Sequence, residues 1–367
     1  MTMSVAEVDD GTAVADAAPA SAAAVSAQPT TPIMLIFFIM VSLTFRDAPS
    51  RSGMGTGLVR SLACSVTVFA NNSRQHTGEA MDRSPTVRAL RFARRITDAL
   101  GLDVGVDLAP LISTRHPPVI LTRALVARAG EFEGIPTVTI RPNRSGTGNV
   151  IVAVPGGAYV VRPTVMHWLL YAMMARRTGA TVVVPVYPLA TDGGSAGSVV
   201  PSIADLIASH SDSRVGVYGD SAGGGLVLAA VQRLVADGRP VPTSLVLVSP
   251  FLDVTMSNPA IASVDDPVLD PASLRKSGLM WAGALDPKDP LVSPLYGSLA
   301  GLPPTRVFSG SRDVLYPDVV LLRQRAEKQS APMDFDLRDG LVHNWAMLPV
   351  TKEGRAVLPD ILRVVGG

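Results

Sequence analysis

The sequence predicts an α/β protein built on a mostly parallel sheet with helices on both faces. Three observations lead there. Short apolar runs rich in β-branched residues recur, as in Val150-Ile151-Val152-Ala153-Val154 and Thr181-Val182-Val183-Val184-Pro185-Val186-Tyr187. Helical stretches alternate with them. One strand-to-helix transition is unusually dense in small residues: Gly219-Asp220-Ser221-Ala222-Gly223-Gly224-Gly225.

The elements read in order as follows. Residues 137–141 and 150–154 are strands, 163–178 a helix, 181–187 a buried strand and 199–210 a helix. Residues 214–218 form a strand, 222–237 a helix and 244–249 a strand. Proline, aspartate and serine then interrupt the alternation, with a modest helix over 272–285. A strand at 306–309, a helix at 319–328, a short strand at 334–336 and a helix at 354–364 complete the chain. Parallel sheets bind ligands at the carboxyl ends of their strands, so the loops that follow strands are where chemistry is expected.

Composition narrows the function classes. The 367 residues are 47% hydrophobic, as in a packed globular protein, and the net charge of +1 supplies no field that would recruit nucleic acid. The single cysteine, Cys64, excludes an intramolecular disulfide and any cysteine-based metal site. Residues 1–80 differ in texture from the rest. An Ala/Ser/Thr/Pro-rich stretch precedes a 13-residue apolar run over 33–45, too short to span a bilayer comfortably and without a basic residue before it. They read as a disordered leader or as sequence upstream of a later start such as Met54 or Met81, in preference to an uncleaved membrane-surface anchor or an export signal. The expected compartment is the cytoplasm, with the cell envelope or export as the alternative. Residues 85–100 place Val87, Leu90, Ala93, Ile96 and Leu100 at helical spacing among four arginines. A solvated basic face is favoured there over a weak contact with a lipid surface.

The central motif is Gly219-Asp220-Ser221-Ala222-Gly223, a G-x-S-x-G between a strand and a helix. A serine there sits on a very tight turn that lifts its hydroxyl above the sheet edge. Positions two before and two after cannot carry side chains, and Gly219 and Gly223 meet that demand. The following helix adds its N-terminal partial positive charge, and the amide of Ala222 points toward a developing oxyanion. A serine also needs a base. Among five histidines, His343 lies in a glycine-containing loop after the last strand. His76 falls in the leader, His116 precedes two prolines, His167 reads as a packed or surface helix residue, and His210 suits a helix C-terminus. The orienting acid belongs on a loop between serine and base. Asp313 is preferred; Asp318 reads as a helix cap, and Asp253 is a second rival. The second oxyanion donor is expected in Pro155-Gly156-Gly157-Ala158-Tyr159, just after a buried strand.

Together these motifs resemble the hormone-sensitive-lipase-like (family IV) esterases of the α/β-hydrolase superfamily, over roughly residues 85–365. Residues 286–296 and Val342-His343-Asn344-Trp345 are similar to that family's later segments. The resemblance implies an α/β-hydrolase fold over 81–367, with a helical lid drawn from about 81–130 and about 252–288. It implies Ser221 as nucleophile, His343 as base and Asp313 as orienting acid. The oxyanion hole would come from the amides of Gly157, Ala158 and Ala222, with Gly156 beside them. No metal and no organic cofactor are implied, and the expected partner is a small ester with a short-to-medium acyl chain. There are two departures. The family's oxyanion loop usually opens with histidine, where this chain has Pro155, and residues 187–193 lack the usual arginine and Ala-Pro-Glu pattern. Proline removes both that side chain and a backbone donor. They motivate an alternative: a weak or silent relative that binds a small ligand. An amidase or N-deacetylase would use the same parts.

Overall fold

The computed structural model describes residues 113–143 and 146–367. The leader, Cys64, His76 and the expected basic helix at 85–100 lie outside the described residues. Eight strands form one sheet in the order β1-β2-β4-β3-β5-β6-β7-β8. These are β1 Leu125–Phe132, β2 Ile135–Pro142, β3 Val150–Val154, β4 Thr181–Pro185, β5 Val215–Asp220, β6 Ser244–Val248, β7 Thr305–Arg312 and β8 Met333–Val342. From β4 to β8 every neighbouring pair is parallel, whereas β2 is antiparallel to both β1 and β4.

The described residues form six α-helices: α1 Val165–Thr178, α2 Ala196–Ala208, α3 Ser221–Ala236, α4 Pro271–Ala282, α5 Tyr316–Gln329 and α6 Lys352–Gly366. The central strands are apolar throughout because both faces are buried, and alternate side chains serve opposite layers. Val150, Val152 and Val154 pack with residues of α2, α3 and α5, while Ile151 and Ala153 pack with residues of α1 and α6. The chain runs from β3 outward to β4, then returns to place β5 on the other side of β3. The loops after β3 and β5 therefore flank the point where strand order reverses, the usual place for a ligand crevice.

Three elements differ from expectation. Strand β1 was not foreseen, and residues 125–130, expected in the covering segment, belong to it. Its edge position leaves the middle of Leu-Val-Ala-Arg-Ala-Gly-Glu-Phe exposed, so no apolar alternation marks it. Strand β8 runs ten residues instead of three. It too is an edge strand, where Asp336, Arg338 and Asp339 are tolerated, and its pairing with β7 shifts register between Gly310 and Arg312. Helix α2 ends at Ala208, two residues before His210, and burial lowers the pKa of that histidine.

Candidate active site

Strand β5 ends at Asp220 and α3 begins at Ser221, so no connecting residue separates them. The turn forces Ser221 to φ 52°, left-handed backbone that a non-glycine residue adopts only under constraint. Close packing explains the flanking glycines. A Cβ on Gly219 would meet the Gly223 carbonyl oxygen at 2.5 Å, and one on Gly223 would collide with the carbonyl of Val154. Ser221 is 5% exposed.

His343 follows the last residue of β8 and reaches back to this turn. Its Nε2 lies 3.1 Å from Ser221 Oγ, and its Nδ1 lies 2.9 Å from Oδ2 of Asp313. Asp313, directly after β7, is fully buried, and its Oδ1 accepts the Leu315 amide at 2.9 Å. A carboxylate can only accept from the ring, so Nδ1 carries the proton and Nε2 offers its lone pair to the serine hydroxyl. Burial pulls the His343 pKa down, but the charge and hydrogen bond of Asp313, with the charges of Asp266 and Asp220, more than offset it; the net shift is upward.

Sequence reasoning singled out neither Asp266 nor the partners of Asp220. Asp266 accepts the amides of Val314 (2.9 Å), Val268 (2.7 Å) and Leu269 (3.1 Å), which ties the insertion between β6 and β7 to the residue after Asp313. Burial first, then the neighbouring charge of Asp313, raise its pKa to about 6. The two rival acids lie elsewhere. Asp253 accepts from Thr255, Ser257 and Tyr296. Asp318 does not cap α5, whose N-cap is Leu315; it sits in the first turn and accepts the Asn258 side-chain amide at 2.9 Å.

The loop after β3 lies against the serine turn. A Cβ on Gly156 would be 2.8 Å from Ser221 Cβ. Gly157 takes φ 130°, Ala158 φ 49° and Tyr159 φ 63°, a run of left-handed backbone that turns the loop sharply. The Gly157 carbonyl accepts the amides of Val160 and Val161, and the Tyr159 carbonyl accepts the Ala190 amide. Tyr187 donates its hydroxyl to the Pro155 carbonyl at 2.9 Å. Ala222 is in the first turn of α3, where amides have no intrahelical acceptor. A buried aromatic stack adjoins this loop: Tyr159 lies 4.2 Å from Trp281 of α4 with rings 3° from coplanar, and 5.9 Å from Phe251.

Of the other histidines, His116 is exposed. His167 is buried, as a packed helix residue would be, yet it bonds to Asp220 next to the serine. Its neighbours in sequence, Met166 and Trp168, carry no hint of that partner. No cluster of three or more His, Cys, Asp or Glu side chains among the described residues could hold a metal ion.

Fold and site define a class, and comparison with known proteins agrees: the chain belongs to the α/β-hydrolase fold family, matched over residues 151–347. A triacylglycerol lipase of Mycobacterium tuberculosis is 43% identical over 271 residues, 72% of this chain and 57% of that protein. The match thus spans little more than half of that relative's length. An acetyl-hydrolase of Streptomyces hygroscopicus is 31% identical over 60% of this chain and 75% of its own. The crystal structure of an esterase from the bacterial hormone-sensitive lipase family aligns with TM-score 0.65 and 27% identity, covering 78% of this chain and 100% of that one. The resemblance to hormone-sensitive-lipase-like esterases and the α/β-hydrolase fold class are both borne out.

Proposed function

We propose that this protein is a serine carboxylic-ester hydrolase that works through an acyl-enzyme on esters with short-to-medium acyl chains. The observation that carries this reading is the unbroken relay from Asp313 through His343 to the strained Ser221, at 2.9 and 3.1 Å. Ser221 Oγ attacks the ester carbonyl while His343 Nε2 takes its proton. Asp313 holds the ring and stabilises the imidazolium that forms. The amides of Gly157, Ala158 and Ala222 receive the oxyanion, with Gly156 giving the close approach. His343 then protonates the leaving alcohol. Water, deprotonated by the same nitrogen, releases the acid. These steps draw on no metal or organic cofactor.

Names of relatives support the ester class: triacylglycerol lipase, acetyl-hydrolase and esterase. The insertion between β6 and β7, with Trp281 stacked on Tyr159, is proposed as part of a lid together with residues N-terminal to β1. A short-to-medium chain optimum is expected because each buried methylene adds only about 0.8 kcal/mol until the pocket ends. No helix of the described residues is long and apolar enough to cross a membrane. The Tyr187 hydroxyl on the Pro155 carbonyl holds the loop where the resemblance expects a histidine, which favours catalysis over silent ligand binding. Initial rates on p-nitrophenyl esters from acetate to palmitate test the proposal. Turnover of the shorter esters that vanishes in Ser221→Ala supports it. Equal turnover by that variant, or turnover of p-nitroanilides alone, removes it.

A further inference from the structure

The proposed pair Ser221 and His343 has a twin one residue away on each side. Asp220 precedes the serine and Asn344 follows the histidine, and Asn344 Nδ2 donates to Asp220 Oδ2 at 3.1 Å. The same carboxylate oxygen lies 3.1 Å from Nε2 of His167. The proton on that ring is assigned by its other nitrogen. The Thr164 backbone amide, which can only donate, points at His167 Nδ1 at 3.0 Å. Nδ1 is therefore an acceptor, and Nε2–H donates to Asp220. The Asp220 side chain is 0% exposed and His167 7%, so both bonds are made away from water. A Cβ on Gly156 would stand 2.6 Å from the same Asp220 oxygen, which puts the oxyanion-loop backbone against this carboxylate. The Asn344 backbone N–H donates in turn to Ser249 Oγ at 3.1 Å. One buried carboxylate thus joins helix α1, the serine turn, the histidine loop and the loop after β3.

We propose that Asp220 is a positioning residue for the catalytic pair: pinned by His167 and Asn344, its carboxylate locks the Ser221 turn to the His343 loop and presents a fixed negative charge to the imidazole. This rests on the ester-hydrolase reading of the same site. Three carboxylates favour the charged form of His343: Asp313 from the loop after β7, Asp266 from the insertion, and Asp220 from the end of β5. The first orients the ring by a direct bond. Asp220 acts through Asn344 and through space. Nothing in the hydrogen-bond geometry forbids an amide in its place, because Oδ1 has no partner among the described residues. Asp220→Asn can therefore keep both bonds on its remaining oxygen while losing the charge.

The variants separate a lock from a structural bystander. His167→Ala and Asn344→Ala are expected to lower kcat about 10- to 100-fold with KM little changed, the scale of losing a hydrogen bond to a buried charge. His167→Gln, which restores a donor toward Asp220, should recover much of that loss. Asp220→Asn, which keeps both bonds in weaker form and loses the charge, should lower kcat less than His167→Ala does and move the acidic limb of kcat/KM to lower pH. The His343 imidazole titration, followed by NMR in parent and Asp220→Asn, should move the same way. Folded His167→Ala and Asn344→Ala with kcat within about twofold of the parent, or an unmoved His343 titration in Asp220→Asn, overturns the proposal. If His167→Ala does not fold, His167→Gln and the titration decide it. The titration needs no turnover, so a parent that hydrolyses no ester sinks the enzymatic reading and leaves this test intact.

Discussion

The Tyr187 hydroxyl donates to the carbonyl of Pro155 at 2.9 Å, holding the first residue of the proposed oxyanion loop. Burial, and after it the charge of Asp220, raises the Tyr187 pKa above the ordinary phenol value, so the group remains a donor. Removing it leaves a carbonyl beside the serine turn without its partner. Tyr187→Phe is expected to cost about 1–3 kcal/mol in stability. It should also lower kcat, because the Gly157 and Ala158 amides lose their fixed aim. Urea unfolding and steady-state rates measure the two effects; a variant indistinguishable from the parent in both shows that the bond does not hold the loop.

Asp313→Asn should fold and should lower kcat by about 10⁴, as neutralising the orienting acid does in such relays. The amide can present its N–H to His343 Nδ1 and so favour the wrong tautomer. Asp253→Asn and Asp318→Asn should leave kcat near the parent value, since neither carboxylate bonds to His343. A collapse of kcat in Asp253→Asn with Asp313→Asn unaffected would reassign the acid.

The acidic limb of kcat/KM should lie above the ordinary histidine value. The base works as the neutral imidazole, and the raised pKa keeps His343 protonated to higher pH, so activity is lost as pH falls through that raised value. Asp266→Asn removes one of the charges that raise it and should move the limb to lower pH. A limb that stays put in this variant, read from a pH–rate profile, rules out Asp266 as a contributor.

Asp318 offers a stability test away from the chemistry. Burial is the main cause that raises its pKa from 3.8 to about 6. The folded state thus binds the proton more tightly than the unfolded chain. Its contribution is most favourable below about pH 4 and is lost as pH rises through about 6. Asp318→Asn keeps an oxygen for the Asn258 amide and removes the buried charge. It should stabilise the protein at pH 8, by up to roughly 3 kcal/mol for a shift of this size, and do little at pH 4. Denaturant midpoints at the two pH values check the sign, and equal effects at both contradict it.

Much of this site was legible because its chemistry constrains neighbouring residues. The tight turn at Ser221 demands glycine at 219 and 223, and a buried parallel strand demands the apolar run before it. The order Ser221, Asp313, His343 could be read from loops that follow strands. What could not be read is contact between residues distant in sequence. His167 lies 53 positions from Asp220, and Tyr187 lies 32 from Pro155. Nothing local marks either pair. The edge strands, β1 missed entirely and β8 in most of its length, escaped for a different reason: side chains on both faces are exposed or half-buried, so polar residues are tolerated at consecutive positions and no period-two signal forms. Asp266 was hidden because acids in an irregular insertion look like solvated loop residues until their amide partners are known.

The central claim is that Ser221 is a nucleophile activated by His343, and covalent labelling measures this most directly. The protein is treated with a fluorophosphonate, its mass recorded and the modified peptide sequenced. The account predicts one adduct, on Ser221, that is absent in Ser221→Ala and forms far more slowly in His343→Ala. An unmodified protein, an adduct on another side chain, or labelling at the parent rate without His343 would contradict it.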